Sequence, residues 1–255
     1  DRAPPPRFTE FAPDKPRRFW KVADVAPHAR GFAVTLDGRT PKSPAKADLV
    51  LPTEALARLC ADEWNAVAEL IEPATMPATR LAFTAIDRIP QAREATADEI
   101  AAYAGSDALC YLADSPSSLV ERQAREWTPW RDWAARELGV ALEPAEGVVH
   151  RAQSPESLAR VRQLALELDD FALAGLAMAT PLLGSAILAL ALQRGVLPAD
   201  TAFDLSRLDE AHQESQWGVD AEVAERTAAR REEARLLERW FAALIPPPQG
   251  EGDQA

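Results

Sequence analysis

The sequence predicts an α+β fold, with a small antiparallel β-sheet and one covering helix in the N-terminal part, followed by an all-α helical bundle. Three observations predict it. Strand-like patterning is confined to residues 19–51, the apolar spacing changes to three and four residues after Pro52, and from Arg80 almost to the C-terminus the period stays helical.

Residues 1–16 hold prolines among polar groups and are expected to form a flexible leading segment. Trp20, Val22 and the run Phe32-Ala33-Val34-Thr35-Leu36 then lead into Asp37-Gly38, a dipeptide suited to the positive φ angles of a tight hairpin turn. A return segment over residues 39–42 and a strand at Leu49-Val50-Leu51 complete the expected sheet. Beyond Pro52, the residues Leu56, Cys60, Trp64, Val67 and Ile71 share one helical face, and Thr53 stands where a hydroxyl would accept from first-turn amides. This helix is expected to cover the sheet. Further helices are expected over residues 80–89, 92–104, 117–138, 155–178, 182–194, 201–217 and 221–244. Ser154-Pro155 opens one of them, Gly195 closes another, and Gly218 with Asp220 separates the last two. The expected division is an α+β domain over residues 17–90, a helical domain over 91–245 and a disordered, proline-rich tail over 246–255.

Residues 171–192 form a 22-residue run without a charge, long enough in principle to cross a bilayer. Pro181, Gly175, Gly184 and seven alanines interrupt and dilute it, so it reads as two buried helices meeting near Thr180-Pro181, and no membrane insertion is expected. The N-terminal Asp1-Arg2-Ala3-Pro4-Pro5-Pro6 does not resemble a signal peptide. Formal net charge is -12, with +4 in the first 50 residues and -16 in the remainder, a distribution that repels a phosphate backbone and argues against nucleic acid as a partner. The two cysteines, Cys60 and Cys110, sit in apolar helical patterns and are expected as buried free thiols, in keeping with a reducing compartment.

The spacing of glycines removes several enzyme classes. A phosphate-binding loop needs two glycines five apart, a dinucleotide fingerprint needs them two and three apart, and a nucleophile elbow needs them four apart, yet the closest pair before the tail, Gly31 and Gly38, is seven apart. Two distant cysteines and the histidines His28, His150 and His212 offer no paired metal-ligand spacing. Asp209 and His212 would share a helical face, but a bundle di-metal centre needs a second such pair, so they read as a solvated or interface face. No catalytic residue, cofactor or metal is therefore expected. The competing reading is a small-molecule enzyme with a dispersed acid and histidine site in the helical domain, using Cys110, His212 or the acids around Glu210.

Three stretches carry a resemblance. The first runs through Arg18-Phe19-Trp20-Lys21, Leu36-Asp37-Gly38-Arg39-Thr40-Pro41, Leu51-Pro52-Thr53 and Glu63-Trp64 to Met76-Pro77-Ala78-Thr79-Arg80-Leu81 and Thr84-Ala85-Ile86-Asp87-Arg88. The second is Tyr103-Ala104-Gly105-Ser106-Asp107-Ala108-Leu109-Cys110-Tyr111 with Arg122-Gln123 and Trp127, and the third is Leu208-Asp209-Glu210-Ala211-His212-Gln213-Glu214-Ser215-Gln216-Trp217-Gly218. In this order they resemble the ATP synthase F1 alpha-subunit assembly chaperone family, the assembly factor 2 type of mitochondria and alpha-proteobacteria. Ala78 and Phe83 depart from the family's usual leucine and asparagine. The resemblance implies a two-part fold and a protein that binds the free F1 alpha subunit, is monomeric when free, and works in an alpha-proteobacterial cytoplasm or a mitochondrial matrix.

For the client surface the expectation falls on residues 201–217. At about 100° per residue, Phe203, Leu205 and Leu208 turn toward the bundle with Ala211 and Ser215 near that side, while Glu210, Gln213, Glu214 and Trp217 gather on another face. Those four are the expected partner-binding residues. Trp64, Tyr103, Tyr111 and Trp127 are expected in the core.

Overall fold

The computed structural model describes residues 16–147 and 149–246. The expected leading segment, apart from Pro16, and the expected tail, apart from Pro246, lie outside the described residues.

Strands β1 (Ala23–His28), β2 (Gly31–Leu36) and β3 (Val50–Leu51) form an antiparallel sheet in that order. Asp37 and Gly38 adopt φ of 48° and 85°, and Leu36 and Arg39 exchange two backbone hydrogen bonds across them, so the expected tight turn is present. The return after it is only a single bridge at Arg39, and the long pairing is instead β1 with β2, from Ala23 opposite Leu36 to His28 opposite Gly31. Gly31 permits this corner, because a Cβ there would stand 2.2 Å from the Leu51 carbonyl oxygen.

Helix α1 (Glu54–Ala66) covers the sheet, burying Leu56, Ala57, Cys60, Ala61 and Trp64. Polar groups fix its position. The Asn65 side chain accepts from the Ala23 amide and donates to the Ala23 carbonyl, both at 2.8 Å, and the Arg18 guanidinium donates to the carbonyls of Trp20, Lys21, Asn65 and Val67. Thr53 accepts from the Leu56 amide as its N-cap and also donates to the Ala243 carbonyl at 2.6 Å, which ties α1 to the last helix. The helix stops at Ala66, so Ile71 falls beyond the face expected of it.

Helix α2 (Pro77–Asp87) has no side-chain cap of its own. Glu63 of α1 supplies one, accepting from the amides of Ala78 and Thr79 at 2.8 and 2.7 Å, while burial pushes its carboxyl above the usual range. Next come α3 (Ile89–Gly105), the short strand β4 (Tyr111–Leu112), and α4 (Ser117–Trp133), which a π-helical turn extends to Leu138. Strand β5 (Ala145–Glu146) pairs in parallel with β4. Both cysteines are buried free thiols, as expected.

The expected helix over 155–178 is two, α5 (Pro155–Leu166) and α6 (Asp170–Leu183), because Asp169 accepts from the Ala172 amide and caps a new start. The break expected at Thr180-Pro181 lies further on. Exposed Pro181 stays inside α6, and the chain turns at Gly184, φ 62°, before Ser185 caps α7 (Ala186–Gln193). The expected helix over 201–217 likewise divides at Arg207 into α8 (Ala199–Ser206) and α9 (Leu208–Trp217), after which α10 (Ala221–Leu244) closes the bundle. One buried cluster runs from Trp20 and Leu36 of the sheet region to Trp240 and Phe241 of α10. Among the described residues no helix is long and apolar enough to cross a membrane.

Asp107 joins two parts of this bundle. Its fully buried carboxyl accepts from the Leu109 and Ile187 amides at 3.0 and 3.1 Å, and the polar groups of Ser185 and Ala186 also favour its charged form. Burial pushes it up to about 6 against the pull of those donors. Asp107→Ala removes the acceptor while leaving the donors buried, so it should lower unfolding stability by about 3 kcal/mol or more, read as a shift in urea midpoint at unchanged slope.

Candidate functional site

Helix α9 is held to the bundle along one side only. Leu208 is its buried residue, and Asp209 accepts a hydrogen bond from the buried Gln123 side chain, whose oxygen in turn accepts from the Ala113 amide at 2.8 Å. That arrangement accounts for Asp209. His212 is half-buried, and among the described residues no group of three His, Cys, Asp or Glu side chains could hold a metal ion.

The opposite side carries the expected partner-binding residues. Glu210, Gln213 and Trp217 are all exposed, with Trp217 at 86%, while Glu214 is half-buried and pairs with Arg207 at 2.7 Å. Ser215 was expected near the bundle but is exposed, its hydroxyl bonded to the His212 carbonyl. The Glu214 pair pulls one of the four expected residues back onto the fold and leaves Glu210, Gln213 and Trp217 as the outward set.

Glu210 also looks into a depression of about 360 Å³ between the end of α6, the α8–α9 junction and the N-terminal half of α10. Arg207, Arg226 and Arg230 line it with Glu210. Arg230 donates to the Leu182 carbonyl at 2.9 Å, and Arg207 is engaged with Glu214 and sits over the Phe203 ring. Glu210 and Arg226 have no ion-pair partner among the described residues. The neighbouring α8–α10 seam is occupied by charge pairs, Arg231 with Asp204 and Arg235 with Asp200, and hydrogen bonding from Arg235 holds the Asp200 carboxyl below its ordinary value. An exposed indole beside Val219, which is 50% exposed, and an unpaired acid and base in a shallow depression can bind a protein surface.

The competing enzymatic reading shares Glu210 with this face and His212 with α9, and its thiol, Cys110, is buried. Burial pushes the Cys110 thiol up to about 12, and Cys110 is 4% exposed, where a thiolate nucleophile would need the opposite shift. Of the aromatic residues expected in the core, Trp64 and Trp127 are buried, Tyr111 is half-buried, and Tyr103 is 38% exposed at the end of α3.

The sequence model of the family described as ATP12 chaperone protein matches residues 17–135. The crystal structure of Atp12 from Paracoccus denitrificans is 42% identical, covers 90% of this chain and 98% of its own, and superimposes with a TM-score of 0.85. The Atu1473 protein of Agrobacterium tumefaciens is also 42% identical, over 90% of this chain and 87% of its own, with a TM-score of 0.85. The mitochondrial protein atp12 of Schizosaccharomyces pombe is 27% identical over 216 residues, 79% of this chain and 74% of that relative.

Exposure separates the roles of two tryptophans. Trp217→Ala should change the melting temperature by what about 0.5 kcal/mol produces or less, whereas Trp127→Ala, which removes a buried ring and its hydrogen bond to the Leu205 carbonyl, should cost about 3–5 kcal/mol. Thermal unfolding of both variants checks this.

Proposed function

The chain belongs to the ATP12 chaperone family, and from that premise we propose that it binds the free F1 alpha subunit of ATP synthase, shields its assembly interface and hands it over during F1 assembly. Subunits of an obligate ring expose apolar interfaces before they meet their partners, and such surfaces self-associate. A protein that covers one of them and later yields it needs a patch with a polar rim, not a permanent apolar seal.

The observation that carries this reading, beside family membership, is the outward face of α9, where Glu210, Gln213 and the exposed Trp217 stand free of the fold. Trp217 would supply apolar contact area, and Glu210 would set electrostatic register toward a cationic group on the client. Glu214 would contribute through Arg207, holding the start of α9 in place. In this reading the chain is not an enzyme, needs neither nucleotide nor metal, is monomeric when free, and acts in an alpha-proteobacterial cytoplasm or a mitochondrial matrix. Residues 17–90 and 91–245 would be its two domains.

Light scattering of isolated F1 alpha subunit tests the proposal directly. Aggregation should be suppressed at a near-equimolar ratio without added nucleotide, and a need for ATP hydrolysis by this chain would overturn the reading. Glu210→Lys should weaken alpha-subunit binding while leaving helicity and melting temperature nearly unchanged, since surface substitutions usually stay within about 0.5 kcal/mol. Binding that survives the reversal removes Glu210 from the interface.

A further inference from the structure

A second concavity, larger than the one beside Glu210, lies on the other side of α10. It is an open trough of about 990 Å³ whose floor is α6 and whose walls are α2 and the C-terminal half of α10. Its origin is visible in the sequence of α6, which carries no charge after Asp170. A helix that is apolar on all sides belongs inside a core, and α6 packs against α2, α3, α5, α7, α8 and α10. Along the trough it is left uncovered. Buried Ala174 and half-buried Ala177 and Met178 line the trough together with Leu81 and Phe83 of α2 and Leu236 of α10.

The rim carries charge that the fold does not use. Arg80 and Arg88, both exposed, have no ion-pair partner among the described residues, and Arg239 acts only at a distance on Glu63. The acids of the rim are mostly engaged. Asp87 accepts from the Ser43 hydroxyl and the Ala45 amide, and Glu232 pairs with Arg235, which leaves Glu233 on the α10 wall as the unpaired acid. The free charges are thus cationic along α2 and at the far end of α10.

We propose that this trough receives an amphipathic helix of the client, its apolar stripe on Ala177, Met178 and Phe83 and its carboxylates along the edge that faces Arg80 and Arg88. The proposal rests on the reading above for the client's identity and adds a contact surface separate from the α9 face. Three features favour a helix as occupant. The trough lies between two helices above a third, where a further helix would pack side chains into grooves. Its volume is comparable with about two helical turns at ~10 Å diameter and ~1.5 Å rise per residue. Met178 is a flexible, polarizable side chain that adapts to a partner's surface, and anchors spaced along one helical face are the usual way a helix enters such a groove.

The test uses the full chain and isolated F1 alpha subunit. The double reversal Arg80→Glu with Arg88→Glu should weaken binding about tenfold or more, and raising salt from about 50 to about 300 mM should weaken the wild type much more than the variant. Because the reversal could disturb α2, a second measurement places a photoreactive phenylalanine at Glu233. Its crosslink should map to an acidic amphipathic helix of the alpha subunit. A reversed variant that binds as tightly as wild type, or a crosslink confined to a basic or non-helical segment, overturns the trough while leaving the chaperone reading standing. Wild-type protein that does not bind the alpha subunit at all overturns both.

Discussion

The close approach of α6 and α10 at Gly175 is the constraint on which the rest of the fold depends. A Cβ at that position would lie 2.7 Å from the Phe241 ring and 3.0 Å from Trp240, so any other residue would displace these packed rings or the helices that carry them. With hydrogen alone at Gly175, Trp240 packs fully buried and donates its indole N–H to the Phe171 carbonyl at the start of α6. That seating brings the end of α10 to α1, where the Ala243 carbonyl accepts from Thr53. The sheet region is thereby joined to the helical bundle through a contact that begins with one missing side chain.

Hydrogen bonds from side chains to backbone then set the order of the elements more than ion pairs do. Asn65 grips both backbone groups of Ala23, Glu63 caps α2 from a neighbouring helix, and Arg93 reaches the carbonyls of Leu166 and Leu168 where α5 gives way to α6. Each satisfies groups that a helix or strand end would otherwise leave without partners. The ion pairs on α8 and α10 are largely exposed and contribute little individually.

Much of this was legible in the sequence, and the parts that were not share a physical reason. The α1 stripe, the Thr53 cap and the Asp37-Gly38 turn follow from local chemistry and stand as expected. The β1–β2 pairing was hidden because Ala23–His28 contains Asp24 and Pro27, weak strand formers, and its corner at Ala29-Arg30 has none of the usual turn residues. The breaks at Asp169 and Arg207 lie in stretches without Gly or Pro, where the helical period continues across them and tertiary packing decides the outcome. Pro181 misled in the opposite sense, since it is carried in an exposed part of α6 and the true stop is Gly184. The face formed by Glu210, Gln213 and Trp217 could be read from angular spacing alone, but the pairing of Glu214 with Arg207 could not, because it crosses a helix break that the period conceals. The trough over α6 was equally out of reach. An uncharged run states that a helix must be covered, and only the packing of its neighbours reveals where the cover is missing.

The isolation of Trp217 has an optical consequence. Of the seven tryptophans, Trp20, Trp64, Trp127 and Trp240 are buried and Trp130 and Trp133 partly so, which leaves one indole largely in water. Water relaxes around an excited indole and moves its emission to longer wavelength, while a soluble quencher reaches an exposed ring far more readily than a packed one. The red edge of the protein's ultraviolet fluorescence therefore reports mainly on the tip of α9. Any molecule that covers that tip would shift the emission to the blue and protect it from quenching, so the chain carries its own unlabelled sensor for whatever docks there.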